Sequence, residues 1–309
     1  MPTKHKLTKF FQPSDEVSQA LERNLPIVAL ESTIITHGMP FPENYNLAIK
    51  AKKILLEEGV TPAVIALIGG RIKIGLSDEE IRSLAKDNSA LKLSSRDILG
   101  ALIRKKTGST TVAATMLIAH LSDIPVFATG GIGGVHRNVE KTCDVSADLY
   151  QFLYSPICVI CAGPKAILDI PKTLEVLETL GISVTTFKSD YIPAFWSVNS
   201  GIKTPERVNS IRELVEFQVI NQNLGHTRGQ LICNPIPKKD EIPKTVIEPI
   251  ITRAIEESEL KNISGKALTP FLLKKILEET KGKSLEANKA LLLNNVKLAS
   301  KIAFLMKKR

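Results

Sequence analysis

The chain is poor in aromatic residues and cysteines and has no long apolar run, and each shortage removes a class of protein. Aromatics make up 5% of the 309 residues, too few for the stacking platforms on which single-stranded nucleic acids are held. No stretch of about 18 apolar residues occurs, which excludes a transmembrane helix. The longest such runs, at residues 156–162 and 61–67, are strand-sized. Four cysteines (Cys143, Cys158, Cys161 and Cys233) are too few for a disulfide scaffold. Without a secretory signal, they point to a reducing compartment. Cys158 and Cys161 have the spacing of a redox pair, but no turn or proline separates them. As strand residues three apart they point to opposite faces, so they read as buried structural thiols. Internal repeats, low-complexity tracts and clear linkers are missing too.

Negative charge is also in short supply. Lys and Arg number 41 against 32 Asp and Glu, for a net charge of +9, which suits nucleic acid, an anionic membrane or an anionic small substrate. Much of the excess lies at the ends, in Lys4, Lys6, Lys9, Lys301, Lys307, Lys308 and Arg309, where charge usually marks solvated termini. With aromatics scarce, the expected partner is an anionic small molecule, with no nucleic acid and no membrane. A nucleic-acid-binding module is the competing reading, and it predicts steeply salt-dependent RNA binding without turnover. The basic first dozen residues are like a short organellar leader but contain no arginine, and a cytoplasmic location is expected.

What is present is an ordinary globular balance, 43% hydrophobic and 24% charged, arranged as short apolar runs alternating with amphipathic segments. Strands are predicted at residues 27–30, 63–67, 126–128, 157–161, 184–186 and 231–233, and helices over 43–58, 78–85, 110–120, 165–180 and 206–221. This alternation implies βαβ units, and nearly continuous apolar strands imply burial on both faces. Pro235-Ile-Pro237 closes the last strand and Lys238-Lys-Asp-Glu241 opens a run of helices. Thr269-Pro270 reads as a helix start, with threonine as N-cap and proline first in the helix, and Ser284 begins the last helix. The predicted fold is α/β, a mainly parallel central sheet with helices on both faces and a helical C-terminal layer. One domain is expected over residues 1–309, with a basic N-terminal stretch at 1–13 and the helical layer at 238–309.

In parallel α/β sheets ligands bind beyond the carboxyl ends of the strands, so the residues following each strand carry the candidate chemistry. Glu31 follows the first; a carboxylate there is either used or is a satisfied loop cap. Gly69-Gly70 follows the second, and Thr129-Gly-Gly-Ile-Gly-Gly-Val-His-Arg137 the third. Glycines let backbone N–H groups approach an anion, though neither Walker nor Rossmann spacing is present. The His136-Arg137 pair favours an anionic or polar ligand over an ordinary turn. Asp144 and Asp148, four apart, would share a helical face and suit Mg²⁺ or Mn²⁺; helix capping by Ser146 or Asp144 is the other reading. Gly163-Pro164 reads as a strand end and helix start, which puts Lys165 in the first helical turn. There the helix dipole disfavours the ammonium form, and the neutral amine is the form that makes a Schiff base. An ordinary exposed lysine is the alternative. Lys92, on a predicted strand, is a candidate phosphate contact.

Taken together, these segments resemble the pseudouridine-5′-phosphate glycosidases. The resemblance is carried by Ala29-Leu-Glu-Ser-Thr-Ile-Ile-Thr-His-Gly-Met-Pro40, Lys92-Leu-Ser-Ser-Arg96, Gly108-Ser-Thr-Thr-Val-Ala-Ala-Thr115, the 128–137 segment, Asp144-Val-Ser-Ala-Asp148 and Cys161-Ala-Gly-Pro-Lys165. Cys233-Asn-Pro-Ile-Pro237, Thr269-Pro-Phe271 and Ser284-Leu-Glu-Ala-Asn288 complete it, in order, from about Glu31 to Asn295. It implies reversible cleavage of the C–C bond joining uracil to ribose 5-phosphate. A lysine matching Lys165 attacks C1′ to give an opened-ring Schiff base, and a glutamate matching Glu31 is the general acid. Mn²⁺, or another divalent cation such as Mg²⁺, sits by the aspartate matching Asp144. Lys92, the backbone near Val112 and the segment Ser146, Ala147 and Asp148 match contacts to the sugar phosphate. Asn288 matches the asparagine that reads uracil, with Thr129 and His136 as further substrate neighbours, and a homotrimer is implied. Pro164 and Ala128 stand where variation is expected, and the basic N-terminal dozen lies outside the match. A different Schiff-base enzyme on sugar phosphates, such as an aldolase, would keep Lys165 and a phosphate site but would not need Asn288.

Overall fold

A computed structural model describes residues 9–225, 227–263 and 265–307. Lys4, Lys6, Lys308 and Arg309 lie outside the described residues. The chain gathers into two compact units, residues up to 127 with those from 299 on, and residues 128–298.

The first unit holds β1 (Phe11–Pro13), α1 (Asp15–Glu22), β2 (Ile27–Leu30), α2 (Glu43–Glu57), β3 (Thr61–Ile68), β4 (Arg71–Ile74), α3 (Asp78–Lys86), β5 (Leu91–Leu93), α4 (Ile98–Ile103), β6 (Gly108–Thr110), α5 (Val112–Leu121) and β7 (Val126–Ala128). Its strands lie in the order β1-β4-β3-β2-β7, with β6 on β3 and β5 on β6. The predicted strands β2, β3 and β7 are the apolar runs, buried almost throughout. The pairs β1/β4, β2/β3 and β5/β6 are parallel. Two antiparallel pairs depart from the parallel expectation, β3/β4 and β3/β6. The first follows from Gly69-Gly70, both at positive φ (56° and 74°), as a two-residue hairpin turn of type I′ requires. These glycines therefore reverse the chain between β3 and β4. The capping box of Ser77 and Glu80 starts α3, and Thr111 caps α5.

The second unit holds β8 (Val135–His136), α6 (Val139–Thr142), α7 (Ala147–Gln151), β9 (Cys158–Cys161), β10 (Leu168–Asp169), α8 (Ile170–Thr179), β11 (Ser183–Phe187), β12 (Glu206–Val208), α9 (Ile211–Asn223), β13 (Gln230–Cys233), α10 (Lys244–Leu260), α11 (Leu268–Glu279) and α12 (Lys283–Lys307), which runs on into the first unit's residues. Its strands β9, β13, β11 and β12 are parallel neighbours, and β8 and β10 form a short antiparallel ribbon. A mainly parallel sheet flanked by helices is thus the fold, as the alternation predicts.

Several boundaries differ from expectation. The helix predicted over 165–180 begins only at Ile170, because Asp169 caps it by accepting from the Lys172 N–H (3.0 Å) and Pro171 follows in the first turn. The segment predicted helical from 206 is a strand first, and Ser210 caps the helix that follows. Helix α11 starts at Leu268, so Thr269 lies inside the helix instead of capping it. Cys158, Cys161 and Cys233 are buried free thiols and Cys143 is exposed. Burial pushes the Cys158 thiol well up, and a hydrogen bond with Cys161, then burial, does the same to Cys233. No helix among the described residues is long and apolar enough to cross a membrane.

Candidate active site

In the first unit the residues predicted for the site lie near the ends of β2 and β6 and on β5. Glu31 is half-buried just past β2, and the chain turns at once into a π-helical turn, Ile34–Gly38. Side-chain hydroxyls tie the two strand ends together. Ser32 Oγ donates to the Ile65 carbonyl (2.6 Å) and accepts from the Thr110 N–H (2.9 Å). Thr110 Oγ1 donates to the same carbonyl (2.7 Å) and accepts a hydrogen bond from Thr115 Oγ1 (2.9 Å). Thr33 Oγ1 donates to the Thr110 carbonyl (2.8 Å). Buried Asn44 holds the π-helical turn by donating to the Ile35 carbonyl (2.6 Å) and the Ala85 carbonyl (3.0 Å). Lys92 lies half-buried in β5, in register with Ser109 of β6. Val112 is the first residue of α5, at the helix end whose dipole favours an anion. Burial, and then the Lys92 ammonium, hold His37 below the usual histidine range.

In the second unit the backbone does most of the positioning. The Thr129 N–H donates to the Ile160 carbonyl (3.0 Å), Ile132 to Gly163 (3.2 Å), Ala162 to Gly130 (2.9 Å) and Lys165 to Ile132 (3.1 Å). The glycines of this loop are required by close approach. A Cβ at Gly131 would stand 2.6 Å from the Phe195 ring, one at Gly133 2.3 Å from Ser146 Oγ, and one at Gly134 2.4 Å from Thr173 Oγ1. What these glycines admit is the protein's own side chains. Arg137 is committed as well, pairing with Glu248 (2.7 Å) and donating to the Ala166 carbonyl (3.2 Å), so it does not carry the charge for a ligand.

Lys165 lies in the loop between β9 and β10, half-buried. Gly163, at φ 84°, has the Pro193 carbonyl 2.6 Å from where a Cβ would stand, and Pro164 bridges to Ile132. The chain thus continues as a loop, and the helix-dipole reason for a reactive Lys165 does not apply.

Asp144 and Asp148 do not share a helical face. Val135 and Val145 pair as an antiparallel bridge, the His136 N–H donates to the Asp144 carbonyl (3.0 Å) and Ser146 to Gly134 (2.9 Å). Ser146 is extended and caps α7 through the Asp148 N–H (3.2 Å), so the helix begins after Asp144. Asp148, buried, accepts from the Gly133 N–H (2.8 Å). Ala147 is the first residue of α7. Asp144 instead faces His136, Oδ2 to Nε2 3.9 Å, beside a cavity of about 380 Å³ whose far side is formed by α10 and α11. No group of three or more His, Cys, Asp or Glu side chains that could hold an ion occurs among the described residues.

Asn288 stands on α12, and its Oδ1 accepts from the indole N–H of buried Trp196 (2.7 Å). That commits the side-chain carbonyl to the indole. Asn295 and Asn234 were not foreseen. Asn295 Nδ2 donates to the Thr129 carbonyl (2.8 Å), and its Oδ1 accepts from Asn234 Nδ2 (3.0 Å). The signal for Asn295 in the sequence is a polar residue on the apolar stripe of Leu291, Leu292, Val296 and Ala299; Asn234 has none.

The fold and these strand-end residues fit one class, the indigoidine synthase A-like proteins. The chain belongs to that family, whose model matches residues 16–305, and within it to the pseudouridine-5′-phosphate glycosidases. The glycosidase of that name from Paracoccus denitrificans is 51% identical over 95% of this chain and 97% of its own length. That from Legionella pneumophila is 48% identical over 99% and 97%. Among solved structures, the prealnumycin C-glycosynthase AlnA in complex with ribulose 5-phosphate superposes with a TM-score of 0.90 at 32% identity, covering 97% of this chain and 98% of AlnA. An indigoidine synthase A-like protein of Thermotoga maritima gives 0.88 at 35% identity, over 96% and 97%.

Proposed function

We propose that the protein is a pseudouridine-5′-phosphate glycosidase, reversibly cleaving the C–C bond between uracil and ribose 5-phosphate. The observation that carries this reading is the 51% identity, over 95% of the chain, to a relative of that name. In the proposed mechanism the Lys165 amine attacks C1′ and the C1′–O4′ bond breaks, with Glu31 delivering the proton to O4′. The nitrogen lone pair then forms C1′=N as the C1′–C5 bond breaks, its electrons passing to uracil C5, which takes up a proton. Water hydrolyses the imine to release ribose 5-phosphate and the free amine. An amine is needed because a C-nucleoside lacks a leaving nitrogen, and the lone pair of the attached amine supplies the electrons that form C1′=N as the C1′–C5 pair departs with uracil.

Lys92 and the α5 N-terminus at Val112 are proposed to hold the phosphate, Asn288 to read uracil through its NH₂, and Thr129, His136, Ser146, Ala147 and Asp148 to line the substrate. Asp144 is the proposed holder of Mn²⁺ or a similar divalent ion. Such ions often take one or two carboxylates and complete their shell with water and phosphate oxygens, which fits a single carboxylate without a protein cage. The ion would supply positive charge against the sugar phosphate. The proposed assembly is a homotrimer, checked by light scattering.

The test is borohydride reduction in the presence of ribose 5-phosphate and uracil, followed by mass spectrometry. The expected adduct lies on the peptide bearing Lys165, and an adduct elsewhere would reassign the nucleophile. An adduct without uracil-dependent turnover would favour an aldolase-like enzyme.

A further inference from the structure

Three side chains of the first unit form a hydrogen-bonded line whose proton direction is fixed. Ser109 Oγ donates to the Leu91 carbonyl (3.4 Å), Thr36 Oγ1 donates to Ser109 Oγ (2.6 Å), and Thr36 Oγ1 lies 2.5 Å from His37 Nδ1. A carbonyl only accepts, so each hydroxyl spends its one proton toward Leu91. Thr36 has none left for the imidazole, and Nδ1 must carry the hydrogen of that contact. A neutral imidazole has one N–H, which makes Nε2 an acceptor. Burial and the Lys92 charge both oppose a second proton.

The surroundings decide what that acceptor takes. Leu91 precedes Lys92 in β5, and Ser109 leads through Thr110 and Thr111 into the first turn of α5. Both features attract anionic oxygens, whereas a lone pair on Nε2 repels them and attracts a hydroxyl hydrogen. The π-helical turn that presents His37 is held by Asn44, so the ring is pre-set.

We propose that His37 is a substrate-positioning residue, its Nε2 accepting a hydrogen bond from a hydroxyl of the sugar whose phosphate lies against Lys92 and the α5 N-terminus. This rests on the glycosidase reading and adds to it a residue that selects for a hydroxylated sugar.

The test compares His37→Leu and His37→Gln in the full-length protein, with ribose 5-phosphate, 2-deoxyribose 5-phosphate and 3-deoxyribose 5-phosphate as ligands. His37→Leu should raise KM and the calorimetric Kd for ribose 5-phosphate about tenfold, the worth of one buried hydrogen bond, with kcat little changed. His37→Gln, whose side-chain carbonyl reaches the Nε2 position, should recover most of this. One deoxy sugar should bind wild type and His37→Leu equally. Unchanged affinity in His37→Leu overturns the proposal, as does an equal loss in both variants with a lowered melting temperature. Calorimetry reads the contact without turnover, so a wild type that binds ribose 5-phosphate but does not join it to uracil refutes the glycosidase reading and leaves the His37 comparison decisive.

Discussion

The two units hold their candidate site residues by different means. Around Glu31 and Lys92 the organisers are side-chain hydroxyls, with Ser32 and Thr110 converging on the Ile65 carbonyl. Around Lys165 they are main-chain bonds between loops, with glycines at 131, 133 and 134 because neighbouring side chains press against them. A hydroxyl network loses one bond at a time when a side chain changes. A backbone weave under close contact tolerates no added atom.

Five substitutions and one pH series would break or sharpen that contrast. The largest effect is expected for Lys165→Ala, which should lower turnover on the order of 10⁴-fold or more while leaving the melting temperature near wild type; a wild-type rate would remove the proposed mechanism. Gly133→Ala should cost about 3 kcal/mol in urea unfolding through overpacking. Gly59→Ala in the first unit, at φ 70° with nothing within 4 Å, should cost about 1 kcal/mol from its left-handed backbone alone. Equal costs would refute the close-approach explanation. Asn295→Ala, which strands Asn234 and the Thr129 carbonyl, should cost about 2 kcal/mol, and Thr110→Val about 1 kcal/mol because Ser32 still serves Ile65. The smallest effect concerns pH. His37 has a lowered pKa in the folded chain, so its contribution is complete above the unfolded value of about 6.5 and is lost as pH falls below it. The stability of wild type relative to His37→Gln should therefore decline from pH 7 to pH 5, and a constant difference would show that His37 does not titrate this way.

The parts of the fold that were legible are those with uniform burial. Strands β2, β3, β7, β9 and β13 are continuous apolar runs, and such runs have one stable use. The strands that escaped include β1 and β12, three residues each, and β4, whose four residues alternate accessible and buried and lack a continuous apolar run. Lys165 was singled out for a reason that the fold removes. Gly163-Pro164 imitates a helix start, while the operative signal, Asp169 followed by Pro171, stood a few residues on. Asp144 and Asp148 were misplaced for a related reason, since a spacing of four says nothing once Ser146 begins the helix between them. Asn234 and Asn295 meet through a pairing of distant segments, and local sequence carries no record of such a meeting.

Trp196 is the single tryptophan of the chain, it is 1% exposed, and its indole N–H rests on Asn288. Indole emission depends on the polarity around that nitrogen, so the residue proposed to recognise the base comes with a built-in optical probe. The proposed uracil binding would be read on unlabelled protein as a shift of one fluorophore, with Asn288→Ala as the control that should both redden the emission and abolish its response.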